Sequence, residues 1–158
     1  MKIELRRLSH SAALSQETTA YSAEIWIDGE LAFHAHNHGH GSADFFAKAG
    51  RWDESDVQAW LKANRPQRAL GDTMINHDLE WEVSDLLTRA LEGRRLKRLV
   101  RTNLVTIEKN QIFQYPLRKR PLATISRAVL ATNPDAVIVN GAPDDVFERA
   151  LDLLMSSQ

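Results

Sequence analysis

Apolar and polar positions alternate through the first 36 residues. Ile3 and Leu5, with Leu8 beyond them, lie between Lys2, Glu4 and Arg6, a period of two that predicts a strand. Residues 14–18 read as a turn. Tyr21, Ala23, Ile25 and Ile27 then form one apolar strand face, with Ser22, Glu24 and Trp26 on the other. Asp28-Gly29 supplies the two positive-φ positions of a type I′ hairpin turn. Leu31, Phe33 and Ala35 line one face of the returning strand.

Beyond Asn37-His38-Gly39-His40-Gly41-Ser42 the period changes. Ser55 with Gln58 matches a capping box, and Val57, Trp60 and Leu61 form one helical stripe that ends at Asn64, before Pro66. Asn76 is a candidate N-cap for a second helix. Leu79, Val83, Leu86, Leu87, Ala90 and Leu91 trace its stripe, and Gly93 is its expected stop. Leu96, Leu99 and Val100 extend it after a break or begin a short helix of their own. Residues 102–108 and 111–115 read as strands around Lys109-Asn110. Pro121 opens a third helix with Leu122, Ile125 and Val129 inward, ended by Asn133-Pro134. Residues 136–139 are wholly apolar, as a central strand would be. Pro143 and Asp144-Asp145 start a final helix that buries Val146, Phe147, Ala150, Leu151 and Leu154. The order predicts an α+β fold: an N-terminal antiparallel β-meander, then helices and further strands, with helices packed on a mixed or antiparallel sheet. No repeat or long linker interrupts it, so a single domain over residues 1–158 is expected.

Composition narrows the function classes. The 158 residues are 43% hydrophobic and include no Cys, which excludes a disulfide scaffold, a thiolate nucleophile and Cys-ligated metal sites. No apolar run suits a membrane helix, and the N-terminus lacks the apolar core of a signal peptide. A cytoplasmic location, with no membrane partner, is the expectation. The net charge of −1 conceals an asymmetry. From Arg89 to Arg127, eleven bases face two acids, a balance of +9. The remainder carries nine bases and nineteen acids, a balance of −10.

Three constellations could carry chemistry. His34, His36, His38 and His40 recur at every second position, and a His-x-His pair on a strand can share a transition metal. Gly39 and Gly41 favour a bent path there, and only Asp44 lies near as a carboxylate. His77 and Glu80 are three apart and would share a helical face as metal or acid–base partners; a helix first turn enriched in acids explains the same residues without chemistry. Arg94, Arg98 and Arg101 share a helical face if that helix persists, and Arg118-Lys119-Arg120 forms a second basic cluster near Phe113 and Tyr115. These two clusters could hold phosphates and clamp a single strand, meet an acidic protein, or face only solvent. No P-loop, dinucleotide fingerprint, nucleophile elbow, zinc-protease helix or EF-hand is present. Trp26 lies opposite Ile25 and Ile27, either covered by helices or exposed as an anchor for a partner.

The run Leu14-Ser15-x-Glu17-Thr18-x-x-Tyr21-x-Ala23-x-Ile25-x-Ile27-Asp28-Gly29, followed by Asn37-x-Gly39-x-Gly41, resembles a group of small bacterial and phage-encoded proteins without an established activity. The likeness covers residues 2–45 and, more loosely, 134–140. It implies a bacterial or phage origin and a cytoplasmic accessory role, such as inhibition of a host system. In that group an acidic residue often follows the asparagine where this chain has His38, which argues against a shared role for the four histidines. The leading expectation is a non-enzymatic protein-binding module without a cofactor. The alternatives are a nucleic-acid-binding protein using the 89–127 segment and a metal-dependent hydrolase built on the histidine cluster. Oligomeric state is not legible.

Overall fold

The alternating pattern of the N-terminal third produces an antiparallel meander. In the computed structural model, which describes residues 1–157, β1 (Ile3–Ser11), β2 (Ala20–Ile27), β3 (Glu30–Asn37) and β4 (Phe45–Lys48) pair in chain order. Asp28 and Gly29 take φ of +50° and +83° between β2 and β3, the predicted left-handed pair. Tyr21, Ala23, Ile25, Ile27, Phe33 and Ala35 are buried on one face, as the period requires. Trp26, on the other face, is half-buried; the Arg6 guanidinium lies 4.2 Å from its ring and its indole N–H donates to Glu24.

The helices follow the stripes, with altered ends. α1 (Glu54–Asn64) buries Val57 and Leu61. Its N-cap position is Asp53, which places Ser55 inside the helix, so the expected Ser55–Gln58 box does not form; Gln58 Oε1 accepts the N–H of Leu79. The hairpin of β5 (Arg68–Leu70) and β6 (Thr73–Ile75) was not apparent from periodicity, being too short to alternate. α2 (Leu79–Thr102) is capped by Asp78 Oδ1, which accepts the Trp81 N–H, not by Asn76. It also runs straight through Gly93. Leu96, one turn on, is wholly buried, and that burial outweighs the roughly 1 kcal/mol that glycine costs inside a helix.

The residues group into two compact units, Met1–Leu87 and the chain from Thr88 onward, and α2 crosses from one to the other. The first holds the meander, α1, the short hairpin and the start of α2. In the second, β7 (Asn103–Glu108) is the central strand of a three-stranded sheet, between β8 (Gln111–Pro116) and β9 (Val137–Ile138). β9 is therefore an edge strand, two residues long, rather than the expected centre. Alternation along β7 sends Val105 and Ile107 to one face, with Leu96, Val139 and Ala150 of the α2 and α4 (Asp144–Ser156) side. It sends Leu104 to the other, against Ile125 and Val129 of α3 (Leu122–Thr132). Leu122, expected inward, is exposed. The result is α+β, as the pattern of elements predicts.

Candidate functional site

The two basic clusters lie at one end of the second unit. Asn103, the residue after α2, pairs with Pro116 at the end of β8, and the Leu117 N–H donates to Thr102 O at 3.0 Å. Chain geometry thus sets the last turn of α2, with Arg101, beside a tight turn at 118–120. That turn closes with Arg120 N–H to Leu117 O at 2.9 Å, and Arg118 and Lys119 both adopt positive φ, +50° and +64°. A left-handed conformation is unfavourable for residues with a Cβ, and it turns both side chains into solvent. Arg120 is fixed instead: Nε donates to Leu117 O and Nη2 to Pro116 O. Arg94, Arg98 and Arg101 are exposed along one helical face of α2. Among the described residues, Arg98, Arg101, Arg118, Lys119 and Arg120 meet no carboxylate. From Thr88 onward the chain holds twelve bases and seven acids, a balance of +5, whereas Met1–Leu87 holds eight and fourteen, a balance of −6.

Beside the turn, β8 and α3 line an open slot of about 400 Å³. Tyr115, Ile125, Ala128 and Val129 form its walls, and Arg118 and Arg120 stand at its rim. The Tyr115 ring is held by its hydroxyl, which donates to Glu108 Oε2 at 2.8 Å. That contact pushes the phenol pKa above its ordinary value, so the hydroxyl remains a neutral donor at physiological pH. Glu108 is itself a buried hub: Thr106 Oγ1 donates to Oε2 at 2.7 Å and Asn133 Nδ2 to Oε1 at 2.7 Å. Three neutral donors thereby hold a carboxylate that, among the described residues, no ion pair meets. Asn140 ties the opposite edge, accepting from Val105 N–H and donating to Val100 O and Asn103 O. The roles of Glu108, Asn133 and Asn140 in these networks are not visible in the sequence, because single polar residues in strand ends and caps carry no spacing signature.

In the first unit, the Asn37-x-Gly39-x-Gly41 motif is a locked loop. Asn37 is buried; its Oδ1 accepts from Thr18 Oγ1 and Gly39 N–H, and its Nδ2 donates to Ser42 O and Asp44 Oδ1. Tyr21 OH donates to Asp44 Oδ2 at 2.7 Å, and burial together with that carboxylate raises the phenol pKa well above its usual value. Gly39 is obligatory: φ is +86°, and a Cβ there would meet Leu14 O at 2.1 Å.

The histidines divide. His34 and His36 point from the exposed face of β3, opposite Glu24 and Ser22 of β2. His38 follows the strand and its ring lies tilted by 55° against that of His36, with centroids 4.9 Å apart, while His40 is exposed in the glycine loop. Among the described residues, no group of three or more His, Asp or Glu side chains is arranged to hold a metal ion. His77 pairs with Glu82, not with Glu80: Nε2 lies 2.8 Å from Oε2, and both residues are buried. Arg65 reaches the same carboxylate with Nε at 3.0 Å and Nη2 at 2.7 Å. Burial pushes the Glu82 carboxyl up, but Arg65 and His77 outweigh it and hold it below the ordinary value. This trio clamps the chain after α1 to the start of α2. Glu80 instead accepts the Asp44 N–H.

No protein-family model matches the chain, and neither a curated protein nor a solved structure matches it. Among the described residues, no helix is long and apolar enough to cross a membrane.

Proposed function

We propose that this chain is a non-catalytic cytoplasmic binding module whose basic surface, around the end of α2 and the 118–120 turn, takes the phosphate backbone of a nucleic acid. One observation carries the reading: the Leu117–Thr102 hydrogen bond joins two basic clusters that are separated by the sixteen residues between Arg101 and Arg118. Five of the cations there are exposed and meet no carboxylate among the described residues. Arranged around one strand end, they offer a run of donors to a polyanion, whose binding is favoured by release of condensed counterions. Arginine suits the task because its planar fork grips phosphate oxygens in pairs. A mobility-shift or fluorescence-anisotropy titration with short DNA and RNA at low salt tests it. Saturable binding that charge-removing variants of the turn weaken is expected; no binding at low salt overturns it.

A second reading, a protein partner, is favoured by a separate feature of the first unit. The β5–β6 hairpin exposes Leu70 and Met74, each more than half accessible. If that hairpin is the contact, Leu70→Asp with Met74→Asp abolishes a complex recovered from host lysate; no specific partner would count against it.

A further inference from the structure

The slot beside the basic turn has the form of a receptor for one unstacked nucleotide. This rests on the polyanion reading and adds the kind of nucleic acid. At about 400 Å³ the slot falls within the roughly 300–1,000 Å³ usual for small-ligand sites. Its walls are an aromatic ring and aliphatic groups: Tyr115 from β8, with Ile125, Ala128 and Val129 from α3. Its rim carries two guanidinium groups, Arg118 and Arg120. An open, largely apolar slot with cations beside it matches the two ends of a nucleotide, a flat base and a phosphate.

The parts are fixed before any ligand arrives. The hydroxyl of Tyr115 is tied to Glu108, which holds the ring in place. Two backbone carbonyls hold the Arg120 guanidinium. Thr132, also on the wall, turns its hydroxyl back to Val129 O at 3.0 Å, so it offers no free donor to a base edge. We infer that the slot between β8 and α3 takes a single base out of the stack, with its phosphate on Arg118 and Arg120, and that this makes the protein a sequence-tolerant binder of single strands. A duplex cannot present a base this way without unpairing it, so it gains only the outer phosphate contacts.

The test uses the full chain and labelled oligomers of about 12 nucleotides, single-stranded and duplex, read by anisotropy at low salt. Ala128→Phe fills the slot while keeping every charge. The expected result is tighter binding of the single strand than of the duplex, and a loss of about ten-fold on the single strand in Ala128→Phe, the scale of one base–aromatic stack, with the duplex unaffected. Equal affinity for the two forms in the parent chain, or unchanged single-strand affinity in Ala128→Phe, overturns the inference while leaving the phosphate reading intact. Binding of neither form removes both. Should Ala128→Phe not fold, photocrosslinking with a 5-iodouracil oligomer decides on the parent chain. Crosslinks on the Tyr115 peptide support the slot; crosslinks confined elsewhere overturn it.

Discussion

Replacing Arg118 and Lys119 by glycine isolates the charge of the turn from its shape. Both residues hold positive φ, so glycine fits the backbone at least as well as the native pair. Arg120 keeps its bonds to Leu117 O and Pro116 O. The double variant therefore folds, and it loses two of the five exposed cations, Arg98, Arg101, Arg118, Lys119 and Arg120, that meet no carboxylate among the described residues. If those five each neutralise one phosphate of a single strand, the slope of log K against log salt is about −3.5, from roughly −0.7 per contact. Raising salt from about 50 to about 200 mM then weakens binding about 130-fold. With three contacts left the slope falls to about −2.1, and the same change in salt costs about 18-fold. Anisotropy titrations at four or five salt concentrations measure both slopes. A parent slope near zero, or a double variant with the parent slope, would refute the reasoning, since the turn would then carry no phosphate contact.

Three further outcomes concern two buried carboxylates and the Gly39 loop. Glu82→Gln should destabilise the chain by about 2 kcal/mol in urea, less than the full cost of breaking a buried pair because Arg65 is partly exposed and rehydrates. The native Glu82 pKa lies below its unfolded value, so its contribution is complete above the unfolded carboxylate range and fades as pH falls through the folded value; acid titration of Glu82→Gln should lack that part of the loss. Gly39→Ala should cost about 3 kcal/mol or prevent folding of the loop, from the positive φ and the 2.1 Å approach to Leu14 O; a melt matching the parent would show that the loop yields. Glu108→Leu strands three donors, from Thr106, Tyr115 and Asn133, and should cost about 3 kcal/mol, with hydrogen exchange accelerated in β7 and β8. A loss under about 0.5 kcal/mol would mean that the donors find water.

How much was legible in the chain depended on whether neighbours in sequence carried the signal. The β2–β3 hairpin was, because Asp28-Gly29 and the flanking alternation are local chemistry that no distant contact needed to reverse. The stripes of α1, α3 and α4 were legible for the same reason. Helix ends were not: Gln58 went to Leu79, and Asp78 displaced Asn76, because a cap is chosen by whichever partner the fold delivers. Gly93 misled as a stop, since its local cost is small beside the burial of Leu96. The central place of β7, and the edge place of the more apolar β9, depended on pairing over thirty residues of chain.

The candidate site divides in the same way. Arg94, Arg98, Arg101 and the 118–120 cluster were visible as charge, and Tyr115 as a nearby aromatic. By itself the sequence determined the fold class, the uneven charge and the local turns, all properties of residues a few positions apart. Only the tertiary structure decided that Thr102 meets Leu117, that α3 and Tyr115 line one slot, and that His77 meets Glu82 and not Glu80. Those are decided by which buried polar group finds a partner once the apolar faces have packed, and no spacing along the chain encodes that choice.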